Sequence, residues 1–443
     1  MNPLSAKISR RNVLVSCLLF SVIGCICISS TVYAQNGHYW TQHYGTKSML
    51  LSGSVIGGVD DLGAVFYNPS RLTSIESPAF IISADVYQIS NLKLEDTFGD
   101  KFNSKSSDIG TVPSLTAGTF NVPFMKNHHF GWAILSRHND DLGFSFRNDR
   151  DDEDFPGIEQ AVDLNYNFDI SNRLNEQWTG FAWAHEPGKD FSVGASVFLS
   201  RVRLSKSNSI DFQVLSDLND LVIYRYNRNA SFLQYGIVMK LGMSKRLSNN
   251  SVVGITLLTP TIQLTGDASY RYEEFYNGLD SSSTTPDIYT VDVQDDLDMD
   301  YRTPWAFGVG YTIPWKRNLI HFSAEWFSSV SAYDIVKAAD HTSQSSGDTI
   351  SFTLKDELTS VINYGVGVEI YINEKVSGFL SFSADNSAAT GDLSNVISNS
   401  SELTISNMQS PYYHFGGGVV LNLLGADITL GTTYTCLLYT SDA

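Results

Sequence analysis

Between Thr303 and Trp315 the chain reads TPWAFGVGYTIPW, and an extended segment of that composition has two unlike faces. Trp305, Phe307, Val309, Tyr311, Ile313 and Trp315 fall on one side, and Ala306, Gly308, Gly310 and Thr312 on the other, because successive side chains of a strand point to opposite faces. Ten residues rising ~3.3 Å each and tilted by ~40° climb roughly 25 Å, the height of the apolar band around a membrane-spanning strand. Trp305 and Trp315 then stand at the two water interfaces as aromatic anchors. Pro304 and Pro314 lie near the strand ends, where a missing N–H is tolerated.

The alternation recurs. NYGVGVEIYIN sets Tyr364, Val366, Val368, Ile370 and Ile372 against Gly365, Gly367, Glu369 and Tyr371. LIHFSAEWF sets Ile320, Phe322, Ala324 and Trp326 against His321, Ser323 and Glu325, and AFIISADVY and GADITLGTTYT behave alike. A soluble β-sandwich also alternates, but it seldom sets Glu, His and Asp on one face against an unbroken apolar row on the other so many times. About fourteen such strands follow Ser77, an even number as single-chain bacterial barrels require. The expected fold class is therefore all-β, a transmembrane antiparallel β-barrel of about 14 strands. PWKRN, RLSNN and INEK read as short turns at the periplasmic rim. Two of the long connections are acidic: NDRDDEDF from Asn148, and Glu273 to Asp300, which has no Lys or Arg. Such segments read as solvated loops, with Ca²⁺ or divalent bridging to lipopolysaccharide as the sharper alternative and no fixed metal site.

Residues 1–34 read as a signal peptide: Lys7, Arg10 and Arg11 precede an apolar run from Val13 to Ile28, and SSTVYA offers cleavage after Ala34. A lipoprotein site at Cys25 and a twin-arginine route through Arg10-Arg11 are the alternatives. Of the four cysteines only Cys436 follows the leader, so no internal disulfide is available. Beyond the leader no run of 18 apolar residues exists, so a membrane is crossed by strands or not at all. The net charge of −18 argues against nucleic acid as partner, since phosphate binding needs a concentrated basic surface. The motifs G-x-S-x-G, H-E-x-x-H and G-x-x-x-x-G-K-[ST] are absent and the nine His are scattered, which argues against an enzyme; no cofactor is implied.

The segment from His38 to Leu72 lacks two-residue alternation, is rich in small residues and contains Asn68-Pro69, a favourable helix start in which Asn caps and Pro fits the first turn. About forty residues cannot bury a core of their own, so the shelter for residues 35–75 is the barrel lumen, which they plug with short helices. Residues 76–435 form the barrel, and residues 436–443 read as a tail foreign to it. Asp60-Asp61 reads equally as a surface turn or as a buried latch.

GGVDDLGAVFYNPSRL resembles the plug segment of the FadL-type outer-membrane transport proteins, with its Asn-Pro-Ala signature. Asn68 and Pro69 match that signature, Asp60 and Asp61 belong to the same hatch, and Ser70 stands where the family has Ala. The resemblance implies a barrel of about fourteen strands in the outer membrane of a Gram-negative bacterium. It also implies passive uptake of hydrophobic solutes, long-chain fatty acids or aromatic hydrocarbons, released past the plug or sideways into the bilayer. The expected partners are outer-membrane lipid, lipopolysaccharide and a hydrophobic small molecule. A shuttle in a protein-secretion pathway and a general porin are the alternatives within the same fold.

Overall fold

The computed structural model describes residues 37–75, 79–94, 104–120, 122–125, 127–151, 161–216, 221–277, 287–390, 402–405, 410–423 and 425–437. The leader, the acidic run 152–160 and residues 438–443 lie outside them. The strands are β1 (Phe80–Leu94), β2 (Ser104–Phe120), β3 (His128–Asp151), β4 (Ala161–Gly188), β5 (Phe191–Ser216), β6 (Leu221–Arg246), β7 (Val252–Leu258), β8 (Ile262–Asn277), β9 (Ile288–Leu297), β10 (Ala306–Trp315), β11 (Asn318–Phe327), β12 (Val330–Lys337), β13 (His341–Thr342), β14 (Thr349–Ile350), β15 (Thr353–Leu358), β16 (Val361–Asn373), β17 (Val376–Asp385), β18 (Glu402–Thr404), β19 (Tyr412–Leu423) and β20 (Ala426–Leu437). Two four-residue helices, α1 (Lys47–Leu50) and α2 (Ala64–Tyr67), and a 3₁₀ helix (Pro69–Ser74) precede them. No helix among the described residues is long and apolar enough to cross a membrane.

One antiparallel sheet makes the wall, in the order β1-β2-β3-β4-β5-β6-β7-β10-β11-β16-β17-β19-β20. Its two faces are those of the sequence pattern. Along β10, Phe307 and Val309 are exposed while Ala306, Gly308, Gly310 and Thr312 are buried. Phe322 and Trp326 of β11, Tyr364 and Ile370 of β16, and Ile428 and Leu430 of β20 also point outward, forming an apolar belt. An exposed row of this extent in an ordered sheet has hydrocarbon as its natural solvent. The architecture is that of an antiparallel transmembrane β-barrel.

Among the described residues the path contains thirteen strands, against about fourteen from alternation, so β1 and β20 run in the same direction. Among the described residues no ladder joins them. The acidic connection expected from Glu273 onward instead begins inside β8 and returns as β9, a hairpin that lengthens the wall beyond the membrane. β6 serves both halves of this bend: Lys240 to Arg246 pair with β7, and Ile223 to Ile237 with β8. The bend falls at Pro260, which has no N–H for a ladder. The long connection after β11 carries β12 and β15, and β18 from the connection after β17 joins them in a small sheet, β12-β15-β18. Its Tyr333, Ile335, Phe352 and Leu354 pack with Tyr226, Phe232, Tyr270 and Tyr301 into an aromatic-rich core at the end of the barrel away from the short turns.

A second core lies at the other end, where residues 38–75 sit against the inner face of the wall. Tyr44, Leu51, Val55, Val65, Phe66 and Leu72 are buried there with Leu115, Trp178, Phe198, Phe327 and Phe379 of the strands. The inner segment has no sheet of its own and depends on the wall for its burial.

Candidate functional site

The two neighbouring aspartates of the inner segment have opposite surroundings. Asp61 is buried and accepts from Lys47 N (2.7 Å), Ser48 N (2.9 Å), Ser48 Oγ (2.9 Å), Gly63 N (2.9 Å) and Thr46 Oγ1 (3.3 Å). It thereby ties the start of α1 to the start of α2 across a loop that otherwise offers no partner for these N–H groups. Burial pushes the Asp61 carboxyl above its ordinary range, and the N–H groups of Ser48 and Lys47 pull against that rise. Asp60 is exposed and pairs with Lys47 Nζ at 2.8 Å, and Lys47 also lies 3.9 Å from Glu369 of β16. Burial acts to lower the Lys47 ammonium, but the carboxylates of Asp60 and Glu369 outweigh it and hold the group above its usual range.

Asn68 and Pro69 sit at the seam between segment and wall. Asn68 is extended (φ −157°, ψ 99°), as a residue before proline prefers, and its Oδ1 accepts from Ser70 N (3.2 Å) and Ser70 Oγ (2.7 Å). Its Nδ2 donates to Ile56 O (2.9 Å) and to Met243 O of β6 (3.2 Å), so one side chain caps a helix, closes a loop and holds a strand. Glycines in four adjacent strands make room for it. A Cβ on Gly194 would lie 2.6 Å from the Pro69 carbonyl carbon, one on Gly242 would overlap Asn68, and ones on Gly254 and Gly310 would overlap Ile56 or Gly57.

Above this seam, residues 38–44 cross the lumen as a strap held by side chains from opposite strands. Asp385 of β17 accepts from Tyr39 N (3.1 Å) and Trp40 N (2.9 Å). Glu325 of β11 accepts from Trp40 Nε1 (2.9 Å) and pairs with Lys240 of β6 (3.3 Å). Arg137 of β3 donates to Tyr39 O (2.8 Å) and lies over the rings of Phe66 and Trp178. A small cavity opens among Trp40, His43, Ile56, Phe66, Lys240 and Glu325. His43 is driven down to about 3 by burial first and by the neighbouring His414 second, so it is neutral at ordinary pH. This layer is polar, in contrast with the wholly apolar lumen that hydrophobic transport leads one to expect. The charges are paired within it, and the aromatic faces of Tyr39, Phe66 and Trp178 remain the apolar surface beside the wall.

The wall is interrupted beside that aromatic surface. The β2–β3 ladder holds only from Leu115↔Leu135 to Phe120↔Phe130, although β2 runs back to Ser104 and β3 on to Asp151. Pro113 lies in β2 where the ladder stops, and the β1–β2 register slips beside it between Ser83 and Ala84. On the facing strand the β3–β4 register slips between Ser136 and His138, turning Arg137 into the lumen. A proline without an N–H and a bulge on the partner are the two ordinary ways to end pairing. Tyr44 Oη donates to Ser136 O (2.7 Å), so the strap's end is fastened at the edge of this gap.

Trp305 precedes β10 and Trp315 ends it, at opposite ends of one strand, 47% and 57% exposed. Cys436 lies in β20 opposite Tyr413. Of the two acidic segments considered for Ca²⁺, residues 152–155 and 278–286 lie outside the described residues, and no group of three potential metal ligands occurs within those described. The sequence reading set Glu325 on the inner face of its strand without giving it a role, and did not single out Arg137, Lys240, Asp385 or Pro113. Four are charged residues on inward positions of otherwise alternating strands, and the fifth is a proline inside a strand; those were the available signals.

A wall of alternating strands with a buried N-terminal segment defines the class as an antiparallel β-barrel of the transmembrane type with a segment packed against its inner face. No protein-family model and no curated protein matches the chain. Among solved structures it is similar to the CymD monoaromatic hydrocarbon channel (TM-score 0.56, 12% identity, covering 90% of this chain and 94% of that one). It is similar also to the toluene transporter TodX of Pseudomonas putida (0.52, 13%, 85% and 88%) and the toluene transporter TbuX of Ralstonia pickettii (0.50, 13%, 86% and 93%). The chain has the fold of these FadL-type transporters.

Proposed function

We propose that this protein is an outer-membrane channel for passive uptake of hydrophobic solutes, either monoaromatic hydrocarbons or long-chain fatty acids. Residues 35–75 act as the plug and residues 76–435 as the barrel. The observation that carries the reading is the unpaired stretch of wall between β2 and β3, set beside the aromatic faces that hold the strap. A solute too apolar for a water-filled pore gains by moving along aromatic surface and leaving through a lateral gap into hydrocarbon. Displacing the strap is the step that opens the way, since Tyr39 and Tyr44 are bound to Arg137 and Ser136 at the edge of the gap. The fold neighbours CymD, TbuX and TodX are channels or transporters, which accords with a role without catalysis.

A general porin fits less well, because the lumen holds two packed cores and a paired ionic layer instead of a water channel. Membrane lipid and lipopolysaccharide surround the belt in this reading. Growth on a long-chain fatty acid or on toluene as sole carbon source, with and without the gene, tests it. Loss of growth at low substrate concentration on deletion, restored by the gene, is the expected result; unchanged growth on both substrates overturns the reading.

A further inference from the structure

The cations of this acidic protein are distributed unevenly. Away from the short turns several are neutralised, Arg173 by Asp141 (3.0 Å), Arg225 by Asp211 (3.3 Å), Arg302 by Asp300 (2.6 Å) and Lys355 by Glu402 (2.7 Å), while Arg203, Arg271 and Lys337 stand exposed and dispersed over β5, β8 and β12. At the short-turn end Lys189, Lys245, Arg246, Lys316, Arg317 and Lys375 are all exposed, and none makes an ion pair among the described residues. Five of them fall in three consecutive hairpins of the wall, β4–β5, β6–β7 and β10–β11, with Glu186 and Asp190 as the carboxylates of the same turns. These turns close the apolar belt. Trp315 and Ile372 are exposed beside them, and the Arg317 guanidinium lies 5.0 Å from the centre of the Tyr371 ring.

Unpaired cations held at the lower edge of a hydrocarbon-facing belt meet lipid phosphates, and aromatic rings at that level mark the headgroup region. We infer that the rim formed by Lys189, Lys245, Arg246, Lys316 and Arg317 is a docking surface for anionic phospholipid headgroups of the leaflet at the short-turn end. The inference rests on the membrane placement proposed above. Away from the short turns the exposed cations are dispersed or paired with carboxylates, so the protein would gather anionic lipid mainly at the short-turn end. Each basic group near a charged bilayer surface adds roughly fivefold to local lipid association, and the effect fades with salt.

The test is the electron spin resonance spectrum of spin-labelled phosphatidylglycerol and phosphatidylcholine around the full-length protein in phosphatidylcholine bilayers. The motionally restricted fraction should favour phosphatidylglycerol severalfold. That preference should fall toward unity in 0.5 M salt, on the order of the ionic strength that collapses surface electrostatics. It should also fall in the protein carrying Lys245→Gln, Arg246→Gln, Lys316→Asn and Arg317→Gln; asparagine at Lys316 suits its φ of 60°. Should that variant fail to fold, Lys316→Asn with Arg317→Gln, confined to one turn, and the salt series on the unaltered protein decide. Equal association of both lipids, or a preference surviving the substitutions, overturns the inference. A protein that does not enter bilayers overturns the membrane placement instead, and shows no restricted lipid of either kind.

Discussion

At Asp61 one carboxylate replaces the backbone partners that a segment without a sheet or a long helix cannot supply. Asp61→Ala leaves several buried donors unpaired and should lower stability by about 3 kcal/mol or more, whereas Asp60→Ala, at an exposed pair, should stay within about 0.5 kcal/mol. Urea titration followed by gel mobility of the folded band compares the two. His43 carries a pH dependence of defined sign. Its folded pKa of about 3 lies below the ordinary value of 6.5, so between those values the unfolded chain binds a proton that the native protein does not. Its contribution is present above pH 6.5 and is lost as the pH falls toward 3. His43→Gln should therefore flatten the decline of the unfolding midpoint between pH 7 and pH 4.5; an unchanged slope speaks against a neutral buried His43. At this scale Asn68-Pro69 was legible because capping and the pre-proline restriction act within three residues. At Asp60-Asp61 the sequence left surface turn and buried latch equal, since the donors that make Asp61 the latch, Lys47 and Ser48, lie thirteen and more residues away and only the folded loop brings them together.

The strands show why alternation is informative in some elements and silent in others. β10, β11 and β16 obey it because lipid on one side and the plug on the other both constrain them. The lengths of β3 to β6 were not legible: each runs 24–28 residues, beyond the membrane, where the inner face meets the β12-β15-β18 sheet and the outer face meets water. There neither face needs the lipid pattern. The gap between β2 and β3 belongs to this scale too, and it yields a prediction. Pro113→Val combined with removal of Arg137 restores a donor on one strand and takes the extra residue from the other, so the ladder should continue past Leu115↔Leu135. Uptake of labelled toluene should then drop by about tenfold or more while the folded band persists. Undiminished uptake in a folded variant places the exit elsewhere. The glycine cradle makes a companion prediction: Gly242→Val overlaps Asn68 and should expel the plug, seen as new protease cleavage between residues 37 and 75.

For the whole molecule, the belt, the plug and the gap form one arrangement. Outward apolar rows fix the wall in lipid, inward glycines admit a segment that cannot fold alone, and the paired ionic layer holds that segment's strap across the bore. The fold class was readable from periodicity because a membrane imposes the same two-sided rule on every strand. The bore's polar layer was not, because the charged residues on β3, β6, β11 and β17 meet only once the wall surrounds the strap. The proposed function requires selective passage: a small apolar solute should move along the aromatic surface once the strap shifts, and a polar solute of equal size should not. The direct measurement is paired uptake of radiolabelled toluene and of a radiolabelled pentose by cells lacking other channels for either, with and without this protein. The account predicts a saturable rise for toluene and no change for the sugar; a rise for the sugar, or none for toluene, contradicts it.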